Sequence, residues 1–157
     1  MARTRFFAIL SRFNDTACLQ FGSKWRFVIA KSALAAKPVV VAEASKLFAI
    51  DAARMAANTR CDNVVVLDVR GISPITDYMV LATGTSARQM RTVCDDIADM
   101  AAEKGNRALA RDGTDGELWM LIDFVDVVVH VFNAEARQFY DLASLWGDAA
   151  KVEWKQS

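Results

Sequence analysis

The sequence predicts one α/β domain, a β-sheet flanked by helices, and three observations carry that prediction. Val64-Val65-Val66-Leu67 is a short, nearly continuous apolar run of the kind found in buried strands. Between Leu118 and Phe132, Leu118, Met120 and Ile122 alternate with Trp119, Leu121 and Asp123, and then Val127, Val129 and Val131 alternate with Val128, His130 and Phe132. Both faces of these strands are largely apolar, as at the centre of a sheet covered on both sides. Between the two strand regions, Met90, Val93, Cys94, Ile97 and Ala101 recur at helical spacing.

The elements follow in order. Val41 to Ala57 is Ala-rich, with Ala44, Leu47, Phe48, Ile50, Ala52 and Met55 giving a helix with a broad apolar side. Asn63 to Val69 is the first strand, Gly71-Ile72-Ser73-Pro74 a turn, and Thr76 to Thr83 the second strand. In Ser86-Ala87-Arg88-Gln89 the spacing is that of a capping box, so a helix starts at Ala87, and Lys104-Gly105 closes it. Arg107 to Arg111 is a short strand, Asp112-Gly113-Thr114-Asp115-Gly116 a loop, and the two strands of Trp119 to Phe132 pair as a tight hairpin. Only Phe124-Val125 separates Asp123 from Asp126, and a two-residue turn wants glycine or asparagine at positive φ, which a β-branched valine resists. The turn is therefore longer than two residues or strained. Asn133 caps a last helix, Ala134 to Trp146, and a polar tail containing Trp154 follows Gly147.

At 157 residues the chain has room for one domain with a sizeable core. No run of about eighteen apolar residues exists to span a membrane. Cys18, Cys61 and Cys94 are odd in number and unpaired in spacing, and His130 is the one histidine, so neither a disulfide scaffold nor a zinc site is expected. Zero net charge hides a division: residues 1–42 carry seven Lys or Arg against one Asp, whereas residues 43–157 carry twelve basic and eighteen acidic side chains. The second part disfavours direct nucleic-acid binding and favours a basic protein partner. Domain organisation reads as a basic extension (1–42), a folded domain (43–150) and a polar tail (151–157). In the extension Phe6, Ile9, Leu10 and Phe13 share a helical face with arginines elsewhere on the turn. A mitochondrial transit segment, an upstream start and a flexible basic arm all fit, so the location is cytoplasmic, or the mitochondrial matrix on the transit reading.

Two groups of residues could carry chemistry. Gly84-Thr85-Ser86 sits between a strand and a helix N-terminus, where free N–H groups can hold an anion. Nucleotidyl-transferring enzymes use a comparable element, but need two carboxylates alternating on a neighbouring strand to hold metals. Here Asp112 with Asp115, and Asp123 with Asp126, are Asp-x-x-Asp pairs at turns, so the usual metal pair is missing, and a nucleotidyltransferase-like enzyme acting at Gly84-Thr85-Ser86 with a noncanonical carboxylate set is the second reading. Ser86, His130 and Asp123 or Asp126 could form a nucleophile–base–orienter set, yet the Gly-x-Ser-x-Gly elbow is absent, and a histidine between Val129 and Val131 reads as structural or interfacial. Cys94 reads as a core residue. Trp119, Tyr140 and Trp146 suit either a core or a protein interface, where such side chains contribute about 2 kcal/mol or more each.

Leu67-Asp68-Val69-Arg70-Gly71, Thr76-Asp77-Tyr78-Met79-Val80, Ala82-Thr83-Gly84-Thr85-Ser86, Trp119-Met120-Leu121-Ile122-Asp123, Asp126-Val127-Val128-Val129-His130-Val131-Phe132, Arg137-Gln138-Phe139-Tyr140 and Leu145-Trp146 stand in this order over about residues 43 to 150. Together they resemble the ribosomal silencing factor, or Iojap, family. The resemblance implies a mixed sheet flanked by helices, similar to a nucleotidyltransferase core without its catalytic carboxylates, and a protein that is not an enzyme and needs no cofactor or metal. It implies binding to the large ribosomal subunit through the large-subunit ribosomal protein numbered fourteen, a steric block to joining of the small subunit, repression of translation, and in organelles help with large-subunit assembly. A homodimer is compatible with the family, although no residue demands one. By the same analogy Trp119, Asp123, Asp126, His130, Arg137, Tyr140 and Trp146 form the contact surface. Two positions depart from the family pattern: Val125 replaces a turn glycine, and Ala143 replaces an acidic residue two positions before Leu145-Trp146.

Overall fold

A computed structural model describes residues 39–113 and 118–155. The helical face at Phe6 to Phe13, Cys18 and Asp115 lie outside the described residues. The described elements are α1 (Val39–Asn58), β1 (Asp62–Asp68), β2 (Tyr78–Thr83), α2 (Ala87–Glu103), β3 (Ala110–Asp112), β4 (Trp119–Asp123), β5 (Val127–Phe132), α3 (Ala134–Tyr140), α4 (Leu142–Leu145) and β6 (Ala150–Val152). The six strands form one sheet in the order β3-β4-β5-β2-β1-β6. Only β2 and β5 run parallel, pairing Tyr78 with Val127 through Thr83 with Phe132, and the other neighbours are antiparallel. The expected mixed sheet flanked by helices is thus present.

Alternation along the strands sorts the core into two layers. Val66, Tyr78, Val80, Ala82, Met120, Ile122, Val127, Val129 and Val131 point to one face, where they meet Phe48, Ala49, Ala52, Ala53 and Ala56 of α1 and Met90, Val93, Cys94, Ile97 and Ala101 of α2. The alanine stripe of α1 lets its backbone approach the sheet closely. Arg60 ends this helix at φ 62°, while the Arg60 and Cys61 N–H groups donate to the carbonyls of Ala57 and Ala56 in a Schellman arrangement. On the other face Leu67, Val69, Met79, Leu81 and Phe132 pack with Ala136 and Ala149, bordered by Trp119, Tyr140, Leu142 and Trp146.

Four details differ from the sequence reading. β5 is buried along its length, but β4 is covered on one side only: Met120 and Ile122 are buried, whereas Trp119, Leu121 and Asp123 are half-exposed. The last helix is two, because Asp141 adopts a left-handed conformation (φ 33°, ψ 54°) that ends α3, while its side chain accepts from the Ser144 N–H to start α4. Phe139, placed on the apolar side by spacing, is consequently 81% exposed. The stretch after Gly147 supplies β6, which pairs with β1 from Val66↔Val152 to Asp68↔Ala150, and Trp154 packs against the core with its indole N–H on the Val64 carbonyl at 3.2 Å.

The β4–β5 turn is strained as well as long. Three residues separate the strands, and Val125 sits at φ 74°. The Asp126 N–H donates to the Phe124 carbonyl (3.0 Å), a γ-turn about Val125, and the Val125 N–H donates to Asp123 Oδ1 (2.7 Å). That aspartate contact helps hold the valine in backbone space that suits glycine.

Candidate docking surface

Trp119 opens β4 on the face turned away from α1 and α2, at the point where the helical cover gives out. Its neighbour across the hairpin is Phe132, with ring centroids 4.7 Å apart, and Tyr140 of α3 lies 5.0 Å away. The Trp119 indole N–H donates to His130 Nδ1 at 3.2 Å, and the His130 ring stacks on Phe132 with 10° between planes. Gly113 makes the approach to Trp119 possible: its φ is 77°, and a Cβ there would stand 2.0 Å from the Trp119 carbonyl oxygen.

His130 is 6% exposed, so it serves this surface from beneath. Burial, and then the nearby Arg137 charge, push its pKa down from 6.5 to about 3. The ring is neutral, and because Nδ1 accepts from Trp119, its proton resides on Nε2. Neither Asp123 nor Asp126 bonds it, so the nucleophile–base set has no orienter in place. Asp126 instead accepts from Ser45 Oγ of α1 at 3.3 Å, and its backbone carbonyl takes the N–H groups of Asp77 and Tyr78 and the Thr76 hydroxyl.

The sequence-derived residues are brought together unevenly. Trp119, His130, Arg137 and Tyr140 form one cluster with Phe132, in which the Arg137 guanidinium carbon lies 5.8 Å from the Phe132 ring centroid. Trp146 borders the same apolar layer half-buried, and Asp123 shares the Trp119 face of β4 two alternations along. Asp126 is at the turn, tied toward α1. Sequence reasoning missed Phe132 as the floor of the cluster, Leu121 between Trp119 and Asp123, and Phe139, whose exposed ring meets Tyr140 edge-on at 5.0 Å. Alternation placed Phe132 and Leu121 on the right face; the break at Asp141, which exposes Phe139, leaves no periodic signal.

The Gly84-Thr85-Ser86 loop is used internally. The Thr85 N–H donates to Gln89 Oε1 (2.7 Å), the Gln89 N–H to Ser86 Oγ (3.2 Å), and Gln89 Nε2 to the carbonyls of Thr59 and Arg60. Gln89 thus reaches Thr85 rather than the Ser86 N–H that the capping box predicts, and occupies an N–H that an anion would need. Among the described residues no group of three His, Cys, Asp or Glu side chains converges to hold a metal. Cys61 and Cys94 are buried free thiols, pushed up to about 11 and about 12 chiefly by burial, which suits packing rather than nucleophilic attack. No described helix is long and apolar enough to cross a membrane.

Residues 42–157 match the profile of the family described as ribosomal silencing factor during starvation. Ribosomal silencing factor RsfS of Bacillus subtilis is 39% identical over 98 residues, which are 62% of this chain and 83% of that protein. The chloroplastic protein Iojap of Arabidopsis thaliana is 30% identical over 109 residues, 69% of this chain and 45% of that protein. A crystal structure of a Bacillus halodurans protein aligns with a TM-score of 0.59 at 31% identity, covering 71% of this chain and 98% of that one. A Chromobacterium violaceum crystal structure aligns with a TM-score of 0.61 at 27% identity, covering 73% and 92%.

Proposed function

Since the chain belongs to the ribosomal silencing factor family, we propose that it docks on the large ribosomal subunit through the large-subunit ribosomal protein numbered fourteen and sterically blocks joining of the small subunit. The observation that supports this most is the one-sided cover of β4, which leaves Trp119, Leu121 and Asp123 half-exposed beside Tyr140 and the exposed Phe139. Aromatic anchors at the centre with carboxylate at the margin suit a protein partner carrying positive charge. The acidic balance of residues 43–157 speeds and orients such an encounter. No bond is made or broken, and the regulatory effect is translation lowered by occupied large subunits. The protein works where its ribosome is: the cytoplasm, or an organelle if residues 1–42 direct it there.

The test is sedimentation of the full chain with separated large and small subunits. The protein is expected to travel with the large subunit and to deplete joined ribosomes, and Trp119→Ala or Tyr140→Ala is expected to weaken binding by about 2 kcal/mol, roughly thirtyfold. A chain that stays at the top of the gradient would refute the reading.

A further inference from the structure

Arg137 is an anomaly in an acid-rich domain. Its guanidinium is half-buried over Phe132, and no carboxylate among the described residues lies within ion-pair reach. Nη2 donates at 3.4 Å, the limit of a hydrogen bond, to the backbone carbonyl of Asn63, an exposed residue at φ 47°. Nη1 is buried with no hydrogen-bond partner at all. Burial pulls the Arg137 pKa down, a sign of a cation held without full compensation.

Two more polar atoms on the same face of the sheet are in the same condition. His130 Nε2 is buried and unpartnered, and it is the protonated nitrogen, since Nδ1 already accepts from Trp119. Thr83 Oγ1 is likewise buried and unpartnered, on the β2 residue paired with Phe132. Buried polar groups are satisfied in the great majority of cases, because each orphan costs on the order of 1–3 kcal/mol. Here Arg137 Nη1, His130 Nε2 and Thr83 Oγ1 all lie on the Phe132 side of the sheet without a hydrogen-bond partner, and Asp141, which acts on the Arg137 charge, forms no ion pair with it. A guanidinium fork beside a neutral imidazole N–H and a hydroxyl is complementary to a carboxylate, which is acceptor-only and can take both arms of the fork.

We infer that Arg137, with His130 Nε2 and Thr83 Oγ1 on the same face of the sheet around Phe132, forms a receptor for an acidic side chain of the docked partner, reached when the guanidinium leaves the Asn63 carbonyl. This rests on the docking reading above and deepens it. The acidic domain approaches a basic partner through general charge, while one contact of reversed polarity fixes the orientation in which Trp119 and Tyr140 engage. An incorrectly rotated complex would bring no acid to Arg137 and would keep it uncompensated, which is how a single desolvated charge discriminates between poses.

The experiment measures affinity for purified large subunits and thermal stability in parallel, for the full chain, Arg137→Gln, Arg137→Met and Arg137→Lys. Arg137→Gln and Arg137→Met are expected to weaken binding about ten- to a hundredfold, the range for a lost charge-assisted hydrogen bond, with Tm unchanged or raised because an uncompensated buried cation has been removed. Arg137→Lys keeps the charge but loses the fork and should fall between. Full affinity in both neutral variants overturns the inference while leaving the docking proposal intact. A fall in Tm that accompanies the loss of affinity in both also overturns it, since Arg137 would then be holding the fold. Failure of the unsubstituted chain to bind refutes the docking reading and this inference with it.

Discussion

Val125 holds a conformation that glycine adopts without penalty, and it does so at 53% exposure, where its side chain gains little from packing. Val125→Gly should therefore raise stability by about 1 kcal/mol, the range for relieving a positive-φ residue, seen as a higher midpoint in urea. The opposite case is His130, which packing keeps neutral. Its folded value of about 3 lies below the ordinary 6.5, so as pH falls the unfolded chain takes up the proton first. The stabilisation is complete above about pH 6.5 and is lost progressively toward pH 3, reaching about 2 kcal/mol by pH 5. Urea titrations at pH 7.5 and pH 5 should show that loss, and His130→Asn should shrink the difference between the two pH values. The groups facing this ring are Arg137, Trp119 and Phe132, none of which titrates in that range.

Among the elements, the junction between β2 and α2 depends on one side chain. Gln89 ties the Thr85 N–H of its own loop to the carbonyls of Thr59 and Arg60 at the end of α1. Gln89→Ala leaves those groups without partners and should cost about 2 kcal/mol in urea unfolding. The sequence made this helix start readable, because Ser86 and Gln89 have the required spacing, but the reach to Thr59 and Arg60 depends on where α1 ends in space. The same distinction explains the errors. Phe139, Leu142, Ala143 and Trp146 keep helical spacing straight through Asp141, since one left-handed residue does not disturb periodicity enough to be seen. Ala150-Lys151-Val152 looks like tail in the sequence because an edge strand of three residues needs only backbone pairing and shows almost no apolar pattern. At the candidate site the amphipathic rings announced themselves by residue type and face, whereas the setting of Arg137 arises from Asn63, Thr83 and Phe132, which meet only through strand register.

For the molecule as a whole, charge and truncation give the informative experiments. If residues 43–157, with eighteen acidic against twelve basic side chains, steer toward a basic partner, the association rate should fall about tenfold as salt rises from about 50 to 300 mM. The dissociation rate should change much less. Ending the chain after Gly147 removes β6 and the Trp154 contacts to Val64 and Arg54, and should lower stability by several kcal/mol rather than leave it unchanged as loss of a tail would.

The two outermost strands of the sheet, β3 and β6, are three residues each, and Arg111 and Lys151 stand at their centres. A growing fibril needs a long, flat, uncharged edge on which an incoming chain can lay its own backbone. This sheet ends on both sides before such a template can form. Strand addition is therefore disfavoured at both edges, so the backbone of the sheet offers other chains no template and association is left to the side chains of the Trp119 face.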